Sequence, residues 1–101
     1  MQQIKRMFRQ GDILLVETGE IPEFAKKRND KVLVEGELTG HAHRVVNADV
    51  FDFMGSVFVA AEEGARLVHD EHGPIALIPG NYRMVRQREF VPNERAMQVR
   101  D

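Results

Sequence analysis

Apolar and polar residues alternate along most of this chain, and glycine, proline and acidic turn residues interrupt the alternation every eight to twelve residues. A strand turns successive side chains to opposite faces, so a period of two is typical of strands with one buried face. Recurrent short strands separated by turn signals favour an antiparallel architecture. We therefore predict an all-β domain, an antiparallel barrel or sandwich of about seven or eight short strands.

The chain of 101 residues is long enough for one domain, which we expect to span residues 1–101. The predicted strands cover residues 13–16, 31–37, 41–46, 50–54, 56–60, 66–69, 74–78 and 82–90, and turns are predicted around 55, 62–64, 70–73 and 79–81. Residues 1–10 are predicted to form an N-terminal arm or a short helix, with an edge strand as the alternative. Residues 92–101 form a C-terminal tail that a brief helix would suit.

Composition removes several classes of function. The chain has no cysteine, which excludes disulfides, thiolate metal sites and cysteine nucleophiles. Its formal net charge is -2, so nothing global calls for a nucleic acid or an anionic membrane as partner. No signal peptide is visible, and the longest apolar runs are far shorter than a membrane span. These features predict a cytoplasmic protein with no membrane partner.

All four histidines fall in two short motifs. The first, His41-Ala42-His43, lies in a predicted strand, where residues two apart share a face and sit about 6.5–7 Å apart along the strand. Two imidazoles so placed suit two ligands of one metal ion. A third ligand would have to come from a neighbouring strand.

The second motif, His69-Asp70-Glu71-His72, lies at a predicted turn. If Asp70 and Glu71 form a two-residue hairpin turn, the two histidines face each other across the strands. The sequence thus favours a small metal-binding protein with His41, His43, His69 and His72 as ligands of zinc, iron, nickel or manganese. Asp70 or Glu71 would orient an imidazole or add a ligand, and any catalysis would be metal-assisted.

Four segments carry a resemblance to a known group of proteins: residues 10–15 (QGDILL), 39–45 (TGHAHRV), 69–77 (HDEHGPIAL) and 79–90 (PGNYRMVRQREF). With these segments the chain resembles a family of short bacterial and phage-associated proteins. The resemblance covers most of the chain and implies no particular activity. It does imply that both histidine segments belong to a recurring pattern. A weaker analogy links the His-x-His strand to cupin barrels, but the glutamate expected a few residues later is missing.

Two alternatives to metal binding remain open at this point. In the first, the protein is a non-enzymatic assembly module, phage-related and homo-oligomeric, with the histidines at an interface or in a polar turn; a small sheet has edges that self-association would cover. In the second, Arg83, Arg86 and Arg88 on the last strand contact a nucleic acid. Nearby acidic residues favour a solvated strand instead. The sequence names no small-molecule substrate.

Overall fold

In the computed structural model, residues 5–35 and 42–86 are described, and they form one antiparallel β-sheet. The all-β prediction is therefore confirmed, and the sheet is not closed into a barrel. The eight strands are β1 (Met7–Gln10), β2 (Ile13–Glu17), β3 (Lys26–Lys27), β4 (Val32–Glu35), β5 (Ala42–Phe53), β6 (Ser56–His69), β7 (Ile75–Ala76) and β8 (Gly80–Arg86). Within the described ranges no helix is long and apolar enough to cross a membrane.

The long hairpin of β5 and β6 forms the centre of the sheet. The strand order is β1-β2-β8-β6-β5-β3, while β4 also pairs with β5 and β7 also pairs with β6. Each long strand therefore has two different short neighbours, one along each half of its length. The turn at Met54 and Gly55, which the sequence predicted, joins β5 to β6.

A bulge bends this hairpin in the middle. Val46 pairs with Arg66 and Ala48 pairs with Ala61, so one residue of β5 lies opposite residues 62–65 of β6. Asn47 takes a positive φ of 57°, and its Nδ2 donates a hydrogen bond to the Gly64 carbonyl oxygen at 3.2 Å. The turn that we predicted at 62–64 is thus wrong: the chain bulges there and continues as one strand, because β5 keeps pairing on both sides of the bulge.

The core is one cluster of buried side chains contributed by the strands of this sheet. Its largest fully buried side chains are Tyr82, Ile13, Leu15, Leu67, Val45, Val50 and Val59. They come from β2, β5, β6 and β8. Buried positions alternate within β2, and in β5 the alternation shifts by one residue across the bulge, so that Val45 and Val50 both lie in the core. Tyr82 keeps its phenol buried by donating a hydrogen bond to the Ile78 carbonyl oxygen.

The ends of the chain are described only in part. Met7–Gln10 form an edge strand that pairs with β2, which is the alternative we gave for this segment and not the short helix. The remaining end residues, 1–4 and 87–101, lie outside the described residues, as do Arg88 and the tail predicted at 92–101. Histidine 41 is also outside them, so its predicted position stays untested.

Shortening a buried side chain of β6 is expected to destabilise the fold. Leu67 is fully buried, so Leu67→Ala should lower the free energy of unfolding by about 2–5 kcal/mol. Met54 is 87% exposed at the hairpin tip, and Met54→Ala should change it by less than about 0.5 kcal/mol. Urea unfolding of both variants measures the difference. Equal losses would contradict this placement of the core.

Candidate functional site

The two histidine motifs come together at one end of the bent hairpin. His43 near the start of β5 pairs directly with His69 at the end of β6. Their ring centroids are 4.2 Å apart, and the His72 ring lies 4.6 Å from His69 and 6.1 Å from His43. The sequence left open whether the motifs meet, and three of the four histidines do. We call His43, His69 and His72 the histidine cluster.

Gln10, at the end of β1, holds the innermost histidine. Its side chain is buried, and Nε2 donates hydrogen bonds to the carbonyl oxygens of Leu67 at 3.1 Å and Gly73 at 2.8 Å. Both amide hydrogens are thereby used, so the Oε1 atom, 2.9 Å from His43 Nδ1, must accept. His43 therefore carries its proton on Nδ1, and its Nε2 presents a lone pair.

Burial keeps the His43 ring neutral. The residue is only 5% exposed, and loss of solvation lowers its pKa from 6.5 to about 4. The neighbouring His69, His72 and Arg86 lower the pKa further, while the Asp12 carboxylate opposes them. At neutral pH this imidazole is a hydrogen-bond donor at one nitrogen and a base or metal ligand at the other.

His69 organises the turn that follows it. Its Nδ1 accepts hydrogen bonds from the backbone N–H groups of Glu71 at 3.0 Å and His72 at 3.3 Å. The neutral ring therefore carries its proton on Nε2, the opposite tautomer to His43. Asp70 and Glu71, predicted as orienting residues, lie exposed in this turn. Glu71 acts here through its backbone N–H, which bonds the His69 ring.

His72 lies across the glycine of the β1–β2 turn. A Cβ on Gly11 would sit 2.8 Å from His72 Nε2 and 3.3 Å from His43 Cε1, so only glycine leaves room for both rings. Gly11 also has a φ of +62°, which favours glycine. The His43 and His72 rings are close to parallel, at 12°, on either side of this space.

Two charged residues of the site were missed by the sequence analysis or given another role. Asp12 Oδ1 lies 3.7 Å from His43 Nε2, and its Oδ2 lies 3.8 Å from Arg86 Nη2. Asp12 was not singled out as a site residue, although it stands in the QGD segment of the resemblance. Arg86 was assigned to a nucleic-acid surface, but its guanidinium faces Asp12. Arg83 is exposed, at an odd-numbered position on the same strand.

The cluster is not a finished metal centre. Among residues 5–35 and 42–86, no three or more histidine, aspartate and glutamate side chains are arranged so that they could hold a metal ion as they stand. The arrangement does bring together one buried neutral imidazole, one exposed imidazole, a carboxylate and a guanidinium. Such a set can bind a cation, an anion or both.

Protonation of His43 should make the metal-free fold sensitive to acid. The folded-state pKa of about 4 lies below the ordinary value of 6.5, so the unfolded chain binds the extra proton first as pH falls. Stability should therefore drop between about pH 7 and about pH 4, with His43 accounting for about 3 kcal/mol. Urea unfolding in the presence of chelator should show a smaller drop for His43→Gln. The same drop in both proteins would contradict a neutral, buried His43.

Adding a methyl group at Gly11 should displace His72. Gly11→Ala and Gly55→Ala both place alanine at a positive φ, and each should cost about 1–2 kcal/mol. Of these two glycines, Gly11 has neighbours within reach of the new Cβ and Gly55 has none. Gly11→Ala should therefore shift the NMR signals of the His72 ring, and Gly55→Ala should not. Matching His72 spectra in the two variants would show that His72 does not lie over Gly11.

Comparison with known proteins identifies the family but brings no activity. No curated protein and no solved structure matches the chain. A family model described as a domain of unknown function (DUF8820) matches residues 9–87, which include the β1–β2 turn, both histidine motifs and Arg86. Because this match covers well over half of the sequence, the chain belongs to the DUF8820 family.

Proposed function

We propose that the protein binds a divalent transition metal through His43, His72 and Asp12. The observation that carries the proposal is the hydrogen bond between His43 Nδ1 and Gln10 Oε1. Histidines that bind metals typically donate their other ring N–H to a fixed acceptor, which sets the tautomer and the ring orientation. Gln10 has this role for His43, and its own amide is fixed by two backbone carbonyls.

The distance from His43 to Asp12 supports a shared cation. At 3.7 Å, Nε2 and Oδ1 are too far apart for a good hydrogen bond. Two ligands of a tetrahedral zinc ion, each bonded at about 2.0–2.1 Å, are about 3.4 Å apart. The two atoms therefore need to move only a few tenths of an ångström to bind one ion.

His72 is the natural third ligand. Two imidazoles on one tetrahedral ion have ring centroids roughly 5 Å apart, from the usual bond length and ring size. The His43 and His72 centroids are 6.1 Å apart and the rings are within 12° of parallel, so the His72 ring would have to rotate and to approach by about 1 Å. His72 lies exposed in a turn, so its side chain can rotate toward the ion while the Gly73 carbonyl keeps its hydrogen bond to the buried Gln10.

His69 has a different place in this proposal. Its Nδ1 already accepts two backbone N–H groups, so binding a metal through Nε2 would require the ring to give up these bonds. We assign it to holding the turn that presents His72. His41 stays a predicted ligand from the His-x-His spacing, to be tested by its own variant.

The donor set limits the choice of metal. Two imidazoles and one carboxylate suit zinc, iron, nickel or manganese better than calcium or magnesium, which prefer oxygen ligands. Three protein ligands leave at least one coordination position for water or another small ligand. Metal-assisted chemistry on that ligand is the form that any catalysis would take.

Stoichiometric zinc binding is the expected outcome for protein purified without a metal-affinity tag. Elemental analysis after dialysis should give about one ion per chain, and chelation should lower the melting temperature, because the metal binds only the folded state. Alanine at His43 or His72, or Asp12→Asn, should weaken zinc binding at least tenfold, while the exposed Arg83→Gln control should not.

Two further variants test whether His69 and His41 are metal ligands. His69→Gln keeps an acceptor for the turn and should retain most of the affinity. His41→Ala tests the ligand predicted from sequence alone. A large loss in His69→Gln would overturn the role given to His69, and His69 would replace Asp12 in the ligand set if Asp12→Asn also kept its affinity. An absence of stoichiometric metal, with melting unchanged after chelation, would overturn the proposal.

The other hypotheses have less support from the described residues. Exposed large apolar side chains, which an assembly interface would use, are Met7, Phe24, Met54 and Ile78. Self-association remains a prediction that sedimentation at micromolar concentration tests. Nucleic-acid binding loses part of its basis, because Arg86 faces Asp12 and lies on the opposite face of β8 from Arg83.

A further inference from the structure

We propose that the same site takes a small carboxylate anion, which Arg86 binds next to the metal. This inference rests on the proposed metal site and names the class of ligand that the site accepts. It begins from the position of Arg86, whose side chain is three-quarters buried at the end of β8, beside the β1–β2 turn.

The Arg86 guanidinium has unused donors. Its Nε is buried and has no hydrogen-bond partner among the described residues. The Nη2 atom lies 3.8 Å from Asp12 Oδ2, beyond hydrogen-bond distance. A buried donor without an acceptor is unfavourable, and such groups in native proteins are often functional. An acceptor with two oxygens in a plane would satisfy the Nε and Nη2 side of the fork.

The charge balance of the site favours an added anionic ligand. A divalent ion with one carboxylate ligand keeps one positive charge, and Arg86 adds another, while ligating imidazoles are neutral. With the metal in place, the metal, Asp12 and Arg86 would together carry two excess positive charges. A carboxylate held by both donors of the Arg86 fork, with one of its oxygens also at the metal, lowers this excess and occupies the open coordination position.

The surroundings favour a carboxylate over a phosphate. Arg86 places its guanidinium beside Asp12 and His43, and Arg83 lies on the other face of the strand. Phosphate sites usually combine several cations with backbone N–H groups at a helix N-terminus or a glycine-rich loop. One planar fork beside one metal ion fits two oxygens of a carboxylate.

The test is a titration of zinc-loaded protein with acetate, followed by the melting temperature, with acetamide and inorganic phosphate as comparison ligands. Acetate should raise the melting temperature in a saturable way and acetamide should not. Arg86→Gln should weaken the acetate response roughly tenfold or more, because it removes the charged fork. Arg86→Lys keeps the charge, so its response to acetate should lie between those of the wild type and Arg86→Gln. The matched control is Arg83→Gln, which should respond like the wild type.

Zinc content, measured on the same samples, separates this inference from the metal proposal. Arg86→Gln or Arg86→Lys that binds zinc and responds to acetate like the wild type would overturn the role of Arg86. A stronger response to phosphate than to acetate would overturn the choice of carboxylate. If the wild type binds no zinc, the metal proposal fails. The same titration then decides the anion site alone: a response that depends on Arg86 supports it, and no response overturns it.

Discussion

The Gln10 carboxamide fixes the geometry of the whole site. It lies at the point where β1, β5, β6 and the turn after β6 approach one another, and it hydrogen-bonds to His43, Leu67 and Gly73. Both of its amide hydrogens go to backbone carbonyls, so its oxygen can only accept, and the tautomer of His43 follows. A buried glutamine in this position stabilises the contact between the two hairpins and also determines which histidine nitrogen is open to a ligand.

The bent hairpin explains why these groups meet. The bulge at Asn47 and Gly64 separates two halves of the hairpin: one pairs with β8, and the other carries His43, whose ring lies beside Gly11 and Asp12. The site is then built from a tight turn, the first residues of one strand and the last residue of another. Its exposed member, His72, lies in a further segment, the turn after β6, which Gln10 and the His69 ring hold by hydrogen bonds.

The fold class followed from sequence because alternation and turn residues act locally. The hairpin turn at Gly55 and the buried positions of β2 and β6 are examples. The bulge at 62–64 did not follow, since Glu62, Glu63 and Gly64 are ordinary turn residues and only the continued pairing of β5 makes them a bulge. For the site, strand periodicity placed His43 on the same face as Val45, and both side chains are buried. Asp12 and Gln10 were out of reach, because their contacts with His43 span more than thirty residues of sequence.

The measurement that tests this account most directly is long-range ¹H–¹⁵N NMR of the histidine rings during a zinc titration. In metal-free protein near neutral pH, His43 should show a protonated Nδ1 and an unprotonated Nε2, and His69 the reverse. One equivalent of zinc should then shift the Nε2 signal of His43 together with a ring signal of His72. A His43 ring protonated on Nε2, or rings that do not respond to zinc, would contradict the account.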